Sequence, residues 1–171
     1  LQDLDLNEII SILDFATNLK KEMNPKSSRK LLEGRTLGMV FQKPSTRTRV
    51  SFETGMFQLG GHAIALGTND LQLSKGESIE DTARTLSLYL DCVMARVYDH
   101  QDLEKLSKYS SIPIINGLSD LFHPCQILAD LLTIREYKKR FNGINLAWIG
   151  DGFNVCNDLL IGCAKTGLNI S

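Results

Sequence analysis

Short apolar runs alternate with amphipathic stretches along most of the 171-residue chain. The runs are typical of buried strands, whereas the stretches between them have helical spacing, as Leu6, Ile9, Ile10 and Leu13 do near the N-terminus. Consecutive strands that are joined by a helix pair in parallel. The alternation therefore predicts an α/β fold, in which a mostly parallel sheet carries helices on both faces.

The pattern also predicts where the elements lie. We expect strands at 36–41, 62–66, 92–97, 112–115, 146–149 and 168–170, and helices at 6–22, 46–59, 78–90, 99–108, 124–140 and 154–166.

These elements divide the chain into one complete domain and the start of another. We predict the first domain over residues 1–135, with an interdomain helix that starts near 124. Residues 145–171 would be the first elements of a second, Rossmann-like domain, too few to bury a core alone. The sequence lacks an initial methionine and ends inside an apolar run, so we expect it to be part of a longer chain.

Composition limits the classes of partner. The net charge of −1 at pH 7 provides no basic field for nucleic acid or a membrane surface, so any anion site must be local. The first 21 residues are amphipathic and charged, unlike a signal peptide or a membrane span. The four cysteines form neither a CxxC pair nor a zinc-ligand spacing, which favours a reducing, cytoplasmic setting.

The segment STRTR, Ser45 to Arg49, is the strongest functional pattern. It follows an apolar run and Pro44, and Ser45 is a good N-cap for the helix that begins there. A helix N-terminus attracts anions, and the guanidiniums of Arg47 and Arg49 match phosphate oxygens. Because cations oppose the helix dipole at this end, the pattern predicts a phosphate cradle. The alternative is a capped surface helix with solvated arginines.

Three further features lie where strands end, which is where open α/β sheets bind ligands. Arg96 ends an apolar run, and the alternative to ligand binding is a salt bridge to Asp99 or Asp102. The polar loop 67–76 is either a binding loop or a mobile surface loop. The turn 150–152, GDG, lacks the third glycine of a dinucleotide fingerprint, so we predict no nucleotide site there.

His123 and Gln126 lie at the start of a predicted helix whose first residue is Pro124. A histidine donates to a developing oxyanion and a glutamine accepts from an amide, so both side chains suit a ligand that lies past the strand ends. The alternative is structural: His123 caps the helix, and Gln126 reaches back to it as in a capping box.

Four motifs lie along the chain, namely STRTR at 45–49, ARVY at 95–98, HPCQ at 123–126 and GDGFN at 150–154. Together they closely resemble the aspartate/ornithine carbamoyltransferase family, and the resemblance covers essentially the whole chain. The run 112–126, IPIINGLSDLFHPCQ, and the segment 148–154 resemble its ornithine branch in particular.

The resemblance implies a domain that binds carbamoyl phosphate without metal or cofactor, followed by the start of an ornithine-binding domain. It implies that the phosphate is held by Ser45, Thr46, Arg47 and Thr48. It also implies that Arg96 bridges the phosphate and the carbonyl oxygen, that His123 contacts the carbonyl oxygen, and that Gln126 contacts the carbamoyl amide.

The resemblance implies a homotrimer, or a multiple of trimers, with shared sites, in which Gln72 reaches into a neighbouring subunit's site. It also implies that Asn154 contacts ornithine. The reaction it implies is carbamoyl transfer to the δ-amine of ornithine, which gives citrulline in arginine metabolism. Arg96, His123 and Thr48 would then stabilise the charge on the carbonyl oxygen.

Other functions stay open. Phe153 and Asp158 depart from the family pattern, and the later acidic residue, Ser-Met-Gly loop and His-Cys-Leu-Pro segment are absent from these 171 residues. A chain that ended here should not catalyse. The alternatives are a carbamoyltransferase for another amine, namely putrescine, acetylornithine or aspartate, and a non-catalytic fragment that binds carbamoyl phosphate.

Overall fold

The computed structural model describes residues 1–22, 30–72 and 76–171. They form six helices and six strands in the order α1 Leu6–Glu22, β1 Thr36–Phe41, α2 Thr46–Gln58, β2 His62–Gly67, α3 Ile79–Ser87, β3 Cys92–Arg96, α4 His100–Tyr109, β4 Ile114–Leu118, α5 Pro124–Lys138, β5 Asn145–Leu146, α6 Asn154–Thr166 and β6 Asn169–Ile170.

The chain separates into two compact units. We call Pro25–Asp120 the sheet unit, and Leu1–Asn24 with Leu121–Ser171 the helical unit.

A four-stranded parallel sheet organises the sheet unit, with strand order β2-β1-β3-β4. On one face, α3 and α4 cover a cluster that includes Val40, Val93, Ala95 and Leu106. On the other face, Met56 of α2 packs in a cluster with Leu37, Met39, Phe41 and Met94. The predicted parallel sheet with helices on both faces is therefore confirmed. Alternate residues of β1 face opposite ways, so both of its faces are buried.

The register brings the carboxyl ends of all four strands of this sheet together. Phe41, the last residue of β1, pairs with Gly67 on one side and with Arg96 on the other. Arg96 in turn pairs with Leu118 at the end of β4. The segment that enters α2 therefore lies next to the end of β3.

A register shift between β3 and β4 lies beside Arg96. Ala95 pairs with Asn116, but Arg96 pairs with Leu118, so Gly117 is the extra residue. A β-carbon at Gly117 would collide with the sulfur of Met94, a fully buried side chain. Because bulges of this kind turn the side chains next to them, Gly117 helps to set the direction of Arg96.

The helical unit has its own apolar core, built by α1, α5 and α6. Ile9, Ile127, Leu131 and Cys163 are fully buried there. The strands β5 and β6 form a separate two-stranded parallel sheet in this unit.

Most predicted elements are confirmed within a residue or two, and the exceptions have tertiary causes. β4 starts at Ile114 and runs to Leu118, although Asn116 and Gly117 indicated a loop. Pairing with β3 along this stretch outweighs the low strand propensity of these two residues. α3 ends at Ser87, and Leu88 and Tyr89 continue as tight turns rather than as helix.

The predicted strand 146–149 is wrong in its bounds, because β5 covers only Asn145–Leu146. Its single neighbour, β6, is equally short, and Ile149 is 97% exposed.

The compact units follow packing rather than chain order. α1 and α5 pack with α6, so both helices belong to the helical unit. The domain over 1–135 stays a prediction. Across the described ranges, no helix combines the length and the apolar composition that crossing a bilayer requires.

Candidate active site

The N-terminus of α2 is capped by its own sequence. Ser45 has extended backbone angles, its Oγ accepts a hydrogen bond from the Thr48 backbone N–H at 3.3 Å, and it donates to Thr48 Oγ1 at 2.9 Å. No acidic residue lies in the first turn. The cap therefore satisfies one backbone donor and leaves the positive end of the helix dipole without a carboxylate from its own first turn.

The two arginines of the STRTR segment differ. Arg49 Nε donates to Glu53 Oε1 at 2.9 Å, one helical turn further on. Arg47 is exposed and, among the described residues, makes no ion pair. Of the two guanidiniums, only that of Arg47 is uncommitted to a carboxylate.

Arg96, at the end of β3, is half-buried, and its Nε is a buried donor without a hydrogen-bond partner among the described residues. Burial lowers the pKa of Arg96, and the positive charge of Arg47 lowers it further. The salt bridge to Asp99 or Asp102 that we considered does not form. Asp99 instead caps α4 by accepting from the Gln101 N–H at 2.8 Å, and Asp102 accepts from Gln42 at 2.9 Å.

The sheet unit thus brings Ser45, Thr48, Arg47 and Arg96 to one edge. Two guanidiniums repel each other across this edge, and neither has a carboxylate partner in the described chain. Such an arrangement is stable when an anion lies between the two charges. Thr46 is exposed at the same helix end.

Gln72 also belongs to the sheet unit. Its side chain is exposed, and it follows Leu71, which is buried in the core under α3 and α4. Residues 73–75 of the predicted binding loop, which include Ser74 and Lys75, lie outside the described residues.

In the helical unit, His123 is the N-cap residue of α5 and Pro124 is its first residue, as predicted. The capping-box alternative is wrong, because the His123 side chain makes no capping hydrogen bond. Gln126 Nε2 instead donates to Asp130 Oδ1 at 3.0 Å, one turn along the helix. This bond orients the amide and uses its donor, so Gln126 Oε1 is the atom of the amide that accepts.

A carboxylate from another helix caps α5. Asp158 of α6 is fully buried, and its Oδ2 accepts the His123 backbone N–H at 2.7 Å. Its Oδ1 accepts from the Leu1 backbone nitrogen at 3.2 Å. A carboxylate near a helix N-terminus is favoured by the dipole. In the sequence, Asp158 stands out only as a departure from the family pattern. Its position on the apolar face of α6, four residues after Asn154, is the feature of the sequence that could have indicated a buried carboxylate.

Other titratable groups of this unit respond to burial. Burial raises the pKa of Asp130, which the hydrogen bond from Gln126 partly offsets. Burial likewise raises the pKa of the Cys125 thiol, so this thiol is a weak nucleophile at neutral pH.

Asn154, the first residue of α6, is 6% exposed, and its Oδ1 accepts the Val155 N–H at 2.8 Å. Among the described residues, no group of three or more His, Cys, Asp or Glu side chains is arranged to hold a metal ion.

Fold and geometry together define a class, namely a parallel α/β unit with a cationic helix N-terminus at the carboxyl edge of its sheet. Within that class, residues 1–136 match the description "Aspartate/ornithine carbamoyltransferase, carbamoyl-P binding domain". The chain belongs to the aspartate/ornithine carbamoyltransferase family.

Relatives agree with this assignment over nearly the whole chain. The ornithine carbamoyltransferase of Cenarchaeum symbiosum is 60% identical over 169 residues, which are 99% of this chain and 56% of that protein. The corresponding enzyme of Pyrococcus abyssi is 55% identical over 99% of this chain and 54% of that protein. The chain therefore spans about half the length of the curated relatives that it matches.

Solved structures agree with the fold. The ornithine carbamoyltransferase from Pyrococcus furiosus superposes with a TM-score of 0.96 at 54% identity, over 99% of this chain and 54% of that one. The enzyme from Thermus thermophilus gives a TM-score of 0.93 at 37% identity, over 99% and 58% of the two chains. These likenesses confirm the predicted fold class.

Proposed function

We propose that the complete protein containing this chain transfers the carbamoyl group of carbamoyl phosphate to the δ-amine of ornithine, with citrulline and phosphate as products. The observation that carries the proposal is that Arg96 pairs with Phe41, at the end of the strand that leads to Arg47 in the first turn of α2. Neither guanidinium has a carboxylate partner in the described chain. The relatives named ornithine carbamoyltransferase support the choice of amine.

The phosphate end of the substrate fits the sheet unit. A phosphate beside α2 accepts from the backbone N–H groups of its first turn, from the Ser45, Thr46 and Thr48 hydroxyls and from the Arg47 guanidinium. Arg96 approaches from the end of β3 and carries a buried N–H without a partner in the described chain. These contacts offset the repulsion between the two guanidiniums.

The reaction forms one carbon–nitrogen bond and breaks one carbon–oxygen bond. The uncharged δ-amine attacks the carbamoyl carbon, phosphate departs with the bonding electron pair, and the attacking nitrogen releases one proton. Negative charge develops on the carbonyl oxygen, which we assign to Arg96, His123 and Thr48, and then on the phosphate. Each such donor contributes a factor of ~10²–10³ in rate.

The remaining predicted contacts complete the assignment. Gln126 accepts from the carbamoyl NH₂ through Oε1, since Asp130 engages its Nε2. Asn154 contacts the amino-acid end of ornithine. Gln72, exposed at the start of its loop, reaches a neighbouring subunit's site in a homotrimer. We place the protein in the cytoplasm, in keeping with its four free cysteines.

A direct assay tests the proposed reaction. The complete protein is incubated with carbamoyl phosphate and, in separate reactions, with ornithine, putrescine, acetylornithine and aspartate, and the carbamoylated products are quantified by mass spectrometry. Citrulline is the expected product. Turnover of another amine but not of ornithine would overturn the choice of amine. Binding of carbamoyl phosphate without turnover of any amine would favour a non-catalytic role.

A further inference from the structure

Gln42 connects the two chain segments that carry the candidate phosphate ligands. It lies directly after β1 and two residues before Pro44, at the entrance to the STRTR segment. Its backbone N–H donates to the Arg96 carbonyl oxygen at 2.9 Å. This bond continues the β1–β3 ladder by one residue beyond the last strand pair.

The Gln42 side chain makes two further hydrogen bonds. Its Oε1 accepts the Tyr98 backbone N–H at 2.9 Å, and its Nε2 donates to Asp102 Oδ2 at 2.9 Å. Tyr98 lies two residues after Arg96, and Asp102 lies in the first turn of α4. We call Gln42, Tyr98 and Asp102 the Gln42 bridge.

The neighbouring residue adds a second contact between the same segments. Lys43 Nζ lies 4.5 Å from the centroid of the Tyr98 ring, within the range of a cation–π interaction. Gln42 thus holds the backbone of Tyr98 and Lys43 contacts its ring. Both contacts join the exit of β1 to the exit of β3.

This connection matters because the charges that it brings together repel each other. Arg47 follows Gln42 by five residues, Arg96 precedes Tyr98 by two, and the charge of Arg47 lowers the pKa of Arg96. A site that holds like charges close together before substrate arrives needs other contacts to keep them there. The Gln42 bridge supplies those contacts, because the uncharged Gln42 amide bonds both to the Tyr98 backbone N–H and to the Asp102 carboxylate.

The Gln42 bridge lies outside the apolar clusters of the sheet unit. Gln42 is only half-buried, and the Tyr98 side chain is 57% exposed. Water can therefore replace the lost partners when the glutamine is removed, and the apolar clusters of the sheet unit stay in place. A variant at Gln42 should fold.

We propose that Gln42 is a positioning residue, which holds the end of β3 against the entrance to α2 so that Arg96 and Arg47 grip the same phosphate group. The inference rests on the proposed function and assigns no substrate contact to Gln42 itself. Asp102 is its partner, because this carboxylate fixes the orientation of the glutamine amide.

The test is a mutant cycle in the complete protein. Gln42→Leu, Arg96→Ala and the double variant are compared with the unchanged protein for kcat, for KM of carbamoyl phosphate and for the Kd of inorganic phosphate by calorimetry. With Arg96 present, we expect Gln42→Leu to weaken phosphate binding and lower kcat/KM by about tenfold. With Arg96→Ala, the same change should cost less than about twofold, because the residue it positions is gone.

Two variants serve as controls, and a third tests the role of Asp102. Gln101→Leu makes the same replacement at an exposed position of α4 and should leave all these quantities unchanged. Asp102→Asn keeps an oxygen that accepts from Gln42 and should stay within about twofold of the unchanged protein, whereas Asp102→Ala should lose part of the affinity.

The outcomes separate the two proposals. Equal losses with and without Arg96, or no loss in Gln42→Leu, would overturn the positioning role while leaving the proposed function intact. A complete protein that binds phosphate but makes no citrulline would contradict the proposed reaction, and the calorimetric cycle would still decide the role of Gln42.

Discussion

The N-termini of α2 and α5 both carry residues that we assign to the substrate, yet their charges are opposite. At α2 the cap is the neighbouring Ser45, the first turn contains no acid, and Arg47 adds positive charge to the dipole. At α5 the side chain of the cap residue, His123, makes no capping bond, and the buried carboxylate of Asp158 comes from α6.

The difference shows what each helix end is suited to bind. Asp158 supplies an internal anion at α5, so that end has no need of one from solution. His123 then presents a hydrogen-bonding ring rather than an anion site. No described acid serves α2 in this way, and its positive charge is available for phosphate.

The largest expected effect is the loss of carbamoyl-phosphate affinity at the N-terminus of α2 when Arg47 is removed. Arg47→Ala should weaken carbamoyl-phosphate binding by about 10²-fold, since a two-point charged contact contributes about 3 kcal/mol. Isothermal calorimetry measures it. The matched control is Arg49→Ala, two residues away and paired with Glu53, which should change affinity less than about threefold. Similar losses in the two variants would mean that general charge, rather than the geometry of Arg47, attracts the ligand.

Removing Asp158 should lower the stability of the protein, because the N-terminus of α5 loses its buried carboxylate. Asp158→Ala leaves the His123 N–H without its buried acceptor and should lower the free energy of unfolding by about 3 kcal/mol in urea titrations. Asp158→Ser keeps an acceptor oxygen and should lose less. The control is Asp151→Ala, at an exposed position in the turn before α6. Unchanged stability in Asp158→Ala would show that α5 needs no carboxylate.

Removing the serine cap should separate stability from binding. Ser45→Ala and Ser78→Ala each delete the N-cap of one helix in the sheet unit, α2 or α3, and each should cost about 1 kcal/mol. Only Ser45→Ala should also weaken carbamoyl-phosphate binding, because its hydroxyl belongs to the candidate phosphate site. Thermal unfolding and calorimetry on the same samples check both effects. Equal affinities would place the phosphate away from the α2 cap.

A smaller, pH-dependent effect is expected at α5. Because burial raises the pKa of Asp130 above its unfolded value, the folded protein binds this proton more tightly. The resulting stability is full below the unfolded pKa and is lost as pH rises through the folded pKa.

The free energy of unfolding of the unchanged protein, minus that of Asp130→Asn, should therefore fall as pH rises from about 3 to 7. Denaturant titrations at several pH values measure it, and Asp151→Asn supplies the comparison at an exposed position. A difference that rises over this range would reverse the sign and contradict the buried environment of Asp130.

Prediction from sequence succeeded where neighbouring residues decide the structure. The cap at Ser45, the position of Pro124 in α5 and the parallel sheet all followed from local patterns and strand–helix alternation. It failed at β4, where pairing with β3 carried a strand through Asn116 and Gly117. The capping-box alternative for His123 and Gln126 is likewise wrong, because Gln126 bonds to Asp130.

The sequence by itself determined the class of fold, the helix that begins at STRTR and the family, because local hydrogen bonds, apolar periodicity and motif spacing need no distant partner. Only the tertiary structure decided which charges meet. The register beside Gly117, the approach of Arg96 to Arg47, the Gln42 bridge and the reach of Asp158 to His123 join residues that are distant in sequence. Such contacts depend on how strands and helices pack, and one-dimensional spacing does not specify that packing.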